Sequence, residues 1–192
     1  SCPALLLEPT RMNSVVHSEY YGTWIKNGVV VEQNQIISPD GSLNGAKFQG
    51  DGTNSPKMLY TGGGSVTSGT TYTWSAFVKK GTLNFCQLLI GSATFDAALF
   101  SNFDLLNGTI GSNGGGAIPF IESYGNDWYR VGITATANAN GTATPFIVLA
   151  NSATMGRVNG FATSDYIYTY GATFEQGSYP TSYIPTYGSS VT

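Results

Sequence analysis

The residues best placed to do chemistry in this 192-residue chain are aromatic and neutral rather than ionic. In WYRVGITATA, Trp128 and Arg130 fall on one side of an alternating run, which sets a flat ring beside a planar hydrogen-bond donor. Tyr72 and Trp74 have the same spacing in TYTWSAFVKK, and Gln87 places an amide inside the apolar run LNFCQLLI. A ring against the apolar face of a sugar, with fixed donors and acceptors for the hydroxyls in a shallow groove, is how proteins hold a pyranose. Each candidate also has a plainer role. Trp128 closes one end of a core while Arg130 pairs with Glu122 or Glu175, and Tyr72 and Trp74 sit in the core beside Ala76 and Val78. Trp24, following Tyr20 and Tyr21, reads as a plug at the core edge, and Tyr166, Tyr168 and Tyr170 as a one-sided ladder with satisfied hydroxyls.

Acid–base and metal chemistry find less to work with. His17 is the sole histidine, and no GxSxG elbow accompanies it, so a Ser-His-Asp arrangement has no support. Asp96 and Asp104 can be nominated as a glycosidase pair, but nothing selects them. The expectation is a protein that is not an enzyme and needs no cofactor. A structural calcium stays open, although Glu8, Asp40, Asp51 and Glu175 are scattered and form no DxDxDG loop. Cys/His spacing for zinc is absent. Cys2 and Cys86 form either one bridge or, for Cys86, an ordinary buried thiol.

Composition excludes other partners. Charged residues make up 10% of the chain, against about 25% in an average domain. With 8 Lys and Arg against 11 Asp and Glu there is no basic stripe to neutralise phosphates, so nucleic acid is not an expected partner. No apolar run reaches membrane-spanning length.

The elements that must position these side chains are strands. Helical periodicity does not persist over ten residues, whereas short β-branched and aromatic runs recur between Gly, Asn, Pro and Asp clusters. Strands are expected at Ala4–Leu7, Gly28–Gln33, Ala46–Gln49, Lys57–Thr61, Thr70–Lys80, Leu83–Gly91, Ala97–Phe103, Thr109–Ile110, Ile118–Glu122, Trp128–Ala137, Thr142–Ala150 and Tyr166–Gln176. Turns fall at Ser38–Gly41, Lys79–Gly81 and Gly114–Gly116 and at the Asn-Gly pairs of Asn107 and Asn140, which are also NGT sequons. The fold class is all-β: a two-sheet antiparallel β-sandwich of jelly-roll type. Tyr129, Val131, Ile133 and Ala135 should face the core. In TPFIVLA both faces are apolar, so Phe146 and Val148 need a second cover, from a loop, a ligand or a neighbouring subunit. Residues 1–192 read as one domain with extended N-terminal (1–23) and C-terminal (177–192) segments, cut from a longer protein, with SYPTSYIPT packed as a strap.

Several segments in order, LLLEPTRMN, WIKNGVVVEQNQIISPDGSLNGAKF, TYTWSAFVKKG with FDLLNGTIGS, and NDWYRVGITATANANGTATPFIVLANS leading into YGATFEQGSYPTSYIPT, carry a resemblance. The chain resembles the jelly-roll, carbohydrate-binding-module-like domains of tail-fibre, tailspike and head-fibre proteins of tailed bacteriophages. Related jelly rolls serve as carbohydrate-binding modules on secreted bacterial glycosidases. The resemblance implies a β-sandwich and a glycan or polysaccharide ligand. It suggests a virion-surface module for host attachment, in a homotrimer whose avidity compensates for weak sites. Two alternatives stand beside it: a structural spacer with Phe146 and Val148 between virion subunits, and a module of a secreted polysaccharide-degrading enzyme. The chain departs from the family's pattern at Thr173, Tyr170 and Phe146, where Gln, Trp and a polar or basic residue are usual.

Overall fold

The computed structural model describes residues 8–91 and 93–192, so the expected strand Ala4–Leu7 and the Cys2 half of the contemplated bridge lie outside the described residues. Among the described residues Cys86 has no disulfide partner; it is fully buried, and burial pushes its thiol pKa up. Among the described residues no helix is long and apolar enough to cross a membrane.

One 3-10 turn (Tyr21–Thr23) precedes the strands: β1 (Ile25–Asn27), β2 (Val29–Ile37), β3 (Leu43–Gly50), β4 (Asn54–Ser55), β5 (Met58–Tyr60), β6 (Ser65–Val66), β7 (Thr71–Lys80), β8 (Phe85–Ile90), β9 (Phe100–Asp104), β10 (Thr109–Gly114), β11 (Ile118–Ser123), β12 (Trp128–Thr136), β13 (Gly141–Thr142), β14 (Pro145–Ala150), β15 (Phe161–Ala162) and β16 (Tyr166–Gln176). The first sheet runs β1-β5-β14-β8-β9-β10 and the second β11-β12-β7-β16-β3-β2, with every pairing antiparallel. The protein is therefore an all-β, two-sheet sandwich of jelly-roll type.

Alternation sorts the side chains as expected. Val131, Ile133 and Ala135 of β12 meet Ile147 and Leu149 of β14, Leu88 and Ile90 of β8, and Trp74, Phe48 and Phe174 in one buried cluster, with Tyr129 packed against it. Trp24 plugs the edge of this core, its ring 6.3 Å from that of Trp74 and its Nε1–H donating to His17 O. The boundaries differ in physically readable places. β2 continues to Ile37 through a register shift that puts Asn34 in the left-handed region (φ 57), a conformation asparagine tolerates. β9 begins at Phe100 rather than Ala97, because the Asp96 carboxylate accepts the Ala98 N–H and closes a turn there. β1 is too short to announce itself.

Both outer faces acquire covers from this chain. Over the first sheet, residues 151–162 pack Met155, Val158 and Phe161 against Leu89, Val148 and Ala150. Over the second, the tail after Gln176 brings Thr181 and Tyr183 onto Arg130, Phe77 and Tyr170. The SYPTSYIPT segment is thus an extended strap across that sheet.

Candidate functional site

Most residues singled out from the sequence lie inside the protein. Trp74 is wholly buried and donates its Nε1–H to Phe146 O, while Tyr72 stacks on Phe174 at 5.5 Å and accepts the Thr67 N–H at its hydroxyl oxygen. Neither offers a free ring face to a ligand, so the core role replaces the binding role. Arg130 is buried under the strap, donating to Ser75 Oγ (3.2 Å) and Thr181 O (2.6 Å). Its expected carboxylate partner is reached indirectly, for Glu175 accepts both the N–H and the hydroxyl of Thr181. Trp128 forms the floor of an open cleft of about 410 Å³ with Ile37, Pro39, Lys79 and Tyr124. It is only 2% exposed, and its Nε1–H is committed to Ile37 O.

Gln87 is buried as well, and its partners explain the loop above it. Its amide nitrogen donates to Asn102 Oδ1 and Gly156 O, and its oxygen accepts the Val158 N–H. Val148 is fully buried beneath the same loop, so the cover that β14 required comes from residues 151–162 and leaves Val148 unavailable to another subunit. Phe146 remains partly exposed.

The carboxylates are engaged separately. Asp104 caps Leu106, Asn107 and the Asn107 side chain, and Asp96 caps Ala98, so the nominated acid pair is two turn caps. Glu19 and Asp40 do come together, both accepting from the Tyr170 hydroxyl at 3.2 and 3.0 Å, with Tyr183 adding a bond to Glu19. Burial pushes the Asp40 pKa up but is outweighed by hydrogen bonds from the Ser42 N–H, Ser38, Asn44 and Tyr170, which hold it at about 2. A carboxylate held that low is ionised at neutral pH and has no proton to give as a general acid. Burial also raises the pKa of Tyr170 and Tyr183, keeping both hydroxyls as donors. The cluster therefore fastens the N-terminal segment to β16 and the strap. His17 pairs through its backbone with Tyr187 and lies edge-on to Tyr20 at 6.2 Å. Among the described residues no group of three or more His, Cys, Asp or Glu gathers around a point. Glu8, Asp51 and Glu175, the other oxygen donors considered for calcium, bond Ser182, Lys57 and Thr181 respectively.

What the sequence did not disclose is a row across the outer face of the first sheet. Ile25 pairs with Tyr60, Tyr60 with Phe146, Phe146 with Leu89, Leu89 with Phe100, and Phe100 with Gly114. Directly paired residues share a sheet face, so these six side-chain positions line one band. With strands about 4.8 Å apart the band is about 24 Å long. The Tyr60 and Phe146 rings stack at 4.5 Å and 23°. Tyr60, Phe146 and Phe100 are partly exposed and Ile25 is 55% exposed, while Leu89 is buried between the rings.

On one side of the row the covering loop forms a wall. On the other, two residues further along each strand, stand Gly62, Thr144, Gly91 and Ala98. These are small, and a Cβ at Gly62 would meet nothing within 4 Å, so the rings border a low, open shelf. A second open cleft, of about 510 Å³, lies between Arg11, Met12 and Gln176, but its aromatic lining residue is the buried Tyr72.

No protein-family model matches the chain, and no curated protein matches it in sequence. Among solved structures its fold is similar to the enzymatically active domain of tailspike protein 4 of bacteriophage CBA120, with a TM-score of 0.50 and 12% identity, covering 86% of this chain and 21% of that one. It is similar also to the N-terminal endo-1,4-β-D-xylanase 10B of Clostridium thermocellum, whose CBM22-1 and GH10 modules were solved with xylohexaose. There the TM-score is 0.50 at 12% identity, over 90% of this chain and 29% of that one. The chain spans under a third of either structure, and likeness at this identity is one of fold.

Proposed function

We propose that this domain is a non-catalytic glycan-binding module of a phage virion fibre or decoration protein, acting in attachment to a host or surface polysaccharide. The observation that carries the proposal is the aromatic row: Tyr60 stacked on Phe146, with Phe100 two strands away, on an open sheet face beside a shelf of small residues. A linear band of rings suits a linear polymer, because successive sugars can each lay an apolar face against it. Placement on a virion is supported by the LLLEPTRMN and EQGSYPTSYIPT segments and is in keeping with a fold like that of a phage tailspike domain. A single shallow row binds weakly, and display in a trimer would multiply its strength. Neither a metal nor a cofactor enters this scheme.

A glycan array probed with the chain and with a Tyr60→Ala/Phe146→Ala variant tests the site. Binding that the double substitution abolishes, in protein with an unchanged circular dichroism spectrum, is the expected result. A well-folded chain that binds no glycan sinks the proposal. Antibodies to the chain should label purified phage particles; a signal confined to a secreted polysaccharide-degrading enzyme would move the same module to that setting.

A further inference from the structure

The cation beside the aromatic row is Arg157, and the loop carrying it is firmly held. Gln87 and Asn102, neighbours on β8 and β9, are both fully buried on the outer face of the first sheet. Asn102 Nδ2 donates to Ala153 O (3.3 Å) and Met155 O (2.6 Å), while Gln87 donates to Gly156 O (3.2 Å) and accepts from the Val158 N–H (2.9 Å). Two amide side chains thus grip the backbone on both sides of Arg157. Val158 itself sits at φ 53, left-handed and unfavourable for a β-branched residue, and persists there because its surroundings over-determine it. Such firm placement fixes where the next side chain stands.

Arg157 Nε donates to Leu99 O at 3.4 Å, the residue preceding Phe100, so its guanidinium lies at the Phe100 end of the row. With that carbonyl as its hydrogen-bond partner among the described residues, most of the five guanidinium N–H groups are uncommitted there. Lys57 with Asp51 is the one ion pair among the described residues, and Arg157 has none. The carboxylate closest in sequence to Leu99, Asp96, accepts the Ala98 N–H in its own turn. Burial lowers the Arg157 pKa, as expected of a partly desolvated cation without an anion.

We infer that the row takes an acidic polysaccharide, Arg157 pairing the carboxylate of a uronic-acid residue while the rings of Phe100 and Phe146 carry the chain. The inference rests on the glycan-binding reading above and gives its ligand class. A guanidinium fork matches a carboxylate with two parallel hydrogen bonds, a geometry that a neutral sugar does not reproduce. The chain's net charge of −3 works against indiscriminate adsorption of polyanions, so an acidic preference must come from this local contact.

Affinity electrophoresis with polygalacturonate, alginate and hyaluronan, against neutral dextran and xylan and against dextran sulfate, tests it at about 150 mM salt, where long-range charge effects are screened. At least one uronate should bind about tenfold or more tighter than the neutral glycans. Arg157→Gln should erase that margin and Arg157→Lys should restore part of it. Equal binding to neutral glycans, or an Arg157→Gln variant that retains the margin, overturns the inference and leaves the glycan-binding reading standing. Tighter binding to dextran sulfate than to any uronate overturns it too, by showing that charge density rather than a carboxylate is read. No binding to any glycan overturns both. Should Arg157→Gln not fold, the uronate margin of the unaltered chain and its competition by free glucuronate, but not glucose, decide.

Discussion

The backbone N–H of Phe174 donates to the side-chain oxygen of Asn13 at 3.1 Å, across 161 residues of sequence. The same oxygen accepts the Val15 N–H, and the amide nitrogen donates to Ala172 O and Ile184 O, so one fully buried asparagine ties the N-terminal segment, β16 and the strap. Nearby, Glu8 accepts the Ser182 N–H, and Arg11 donates to Gln176 O while lying 4.9 Å from the Tyr179 ring. Asn13 ends LLLEPTRMN, and its partners lie in and beside EQGSYPTSYIPT. Glu8, Arg11 and Asn13 of the first recognisable segment and their partners in and beside the second are therefore halves of one interlock, and these residue types answer to each other rather than to a ligand.

Asn13→Ala should accordingly be severe. It leaves buried carbonyls and N–H groups without partners, at a cost of about 3 kcal/mol. Urea denaturation should show a lowered midpoint with little change in slope. Met12→Ala, at the exposed neighbouring position, should be close to neutral. Equal behaviour of the two variants would mean that the interlock contributes little.

The strap has its own weak point at Thr181, which joins Arg130 to Glu175. Thr181→Val removes the hydroxyl that donates to Glu175 at 2.7 Å and leaves a buried carboxylate one donor short. The expected loss is about 2 kcal/mol. Hydrogen exchange should quicken in residues 177–187 while β8 and β14 stay protected; uniform quickening would show that the strap is not a separable unit.

Sandwich architecture was legible because alternation within each strand is a local signal, and Val131, Ile133 and Ala135 fell where it put them. The aromatic row was not. Tyr60 is the last residue of a three-residue strand, and its stacking on Phe146 exists only once β5 and β14 pair across 85 intervening positions of chain. The usable hint was that Met58 with Tyr60, and Phe146 with Val148, each put two apolar groups on the face opposite the core. Trp128 and Trp74 misled for the converse reason, since a ring suited to a sugar is equally suited to a core. The cover over Val148 lacked any periodic signal, being a loop fixed by the amides of Gln87 and Asn102.

Acid should expose another device. Hydrogen bonds from Lys57, then from the Thr53 hydroxyl and N–H, hold Asp51 at about 2 against an ordinary 3.8. A carboxylate depressed in the folded state stabilises it above the ordinary value, and that contribution fades as pH falls from about 4 towards 2. Asp51→Asn should lower the melting temperature at about pH 6, since the buried Lys57 ammonium loses its counter-charge, and should flatten the acid limb. Adding Lys57→Met should recover stability at about pH 6. An acid limb unchanged in Asp51→Asn would assign it to other carboxylates, of which Asp40, also held at about 2, is the first to examine.

Thr173 offers the opposite sign. It lies on the outward face of β16 opposite Ser75, fully buried, and its hydroxyl finds no hydrogen-bond partner among the described residues. Thr73, also fully buried on that face, has a hydroxyl that bonds Thr134 and Gly177 O, each at 2.8 Å. Threonine to valine exchanges a hydroxyl for a methyl of similar size at both sites, so the substitutions differ only in what the hydroxyl was doing. At Thr173 the change ends an unmet desolvation cost and should stabilise by about 1 kcal/mol, or about 2–4 °C in melting temperature for a chain of this size. At Thr73 it breaks two bonds and leaves Gly177 O short of a donor, which should cost about 1–2 kcal/mol. Calorimetry of the two variants side by side reads the difference. A Thr173→Val variant that melts as low as Thr73→Val would show that its hydroxyl is bonded after all, and that the strap packs over β16 less closely than the buried Thr173 implies.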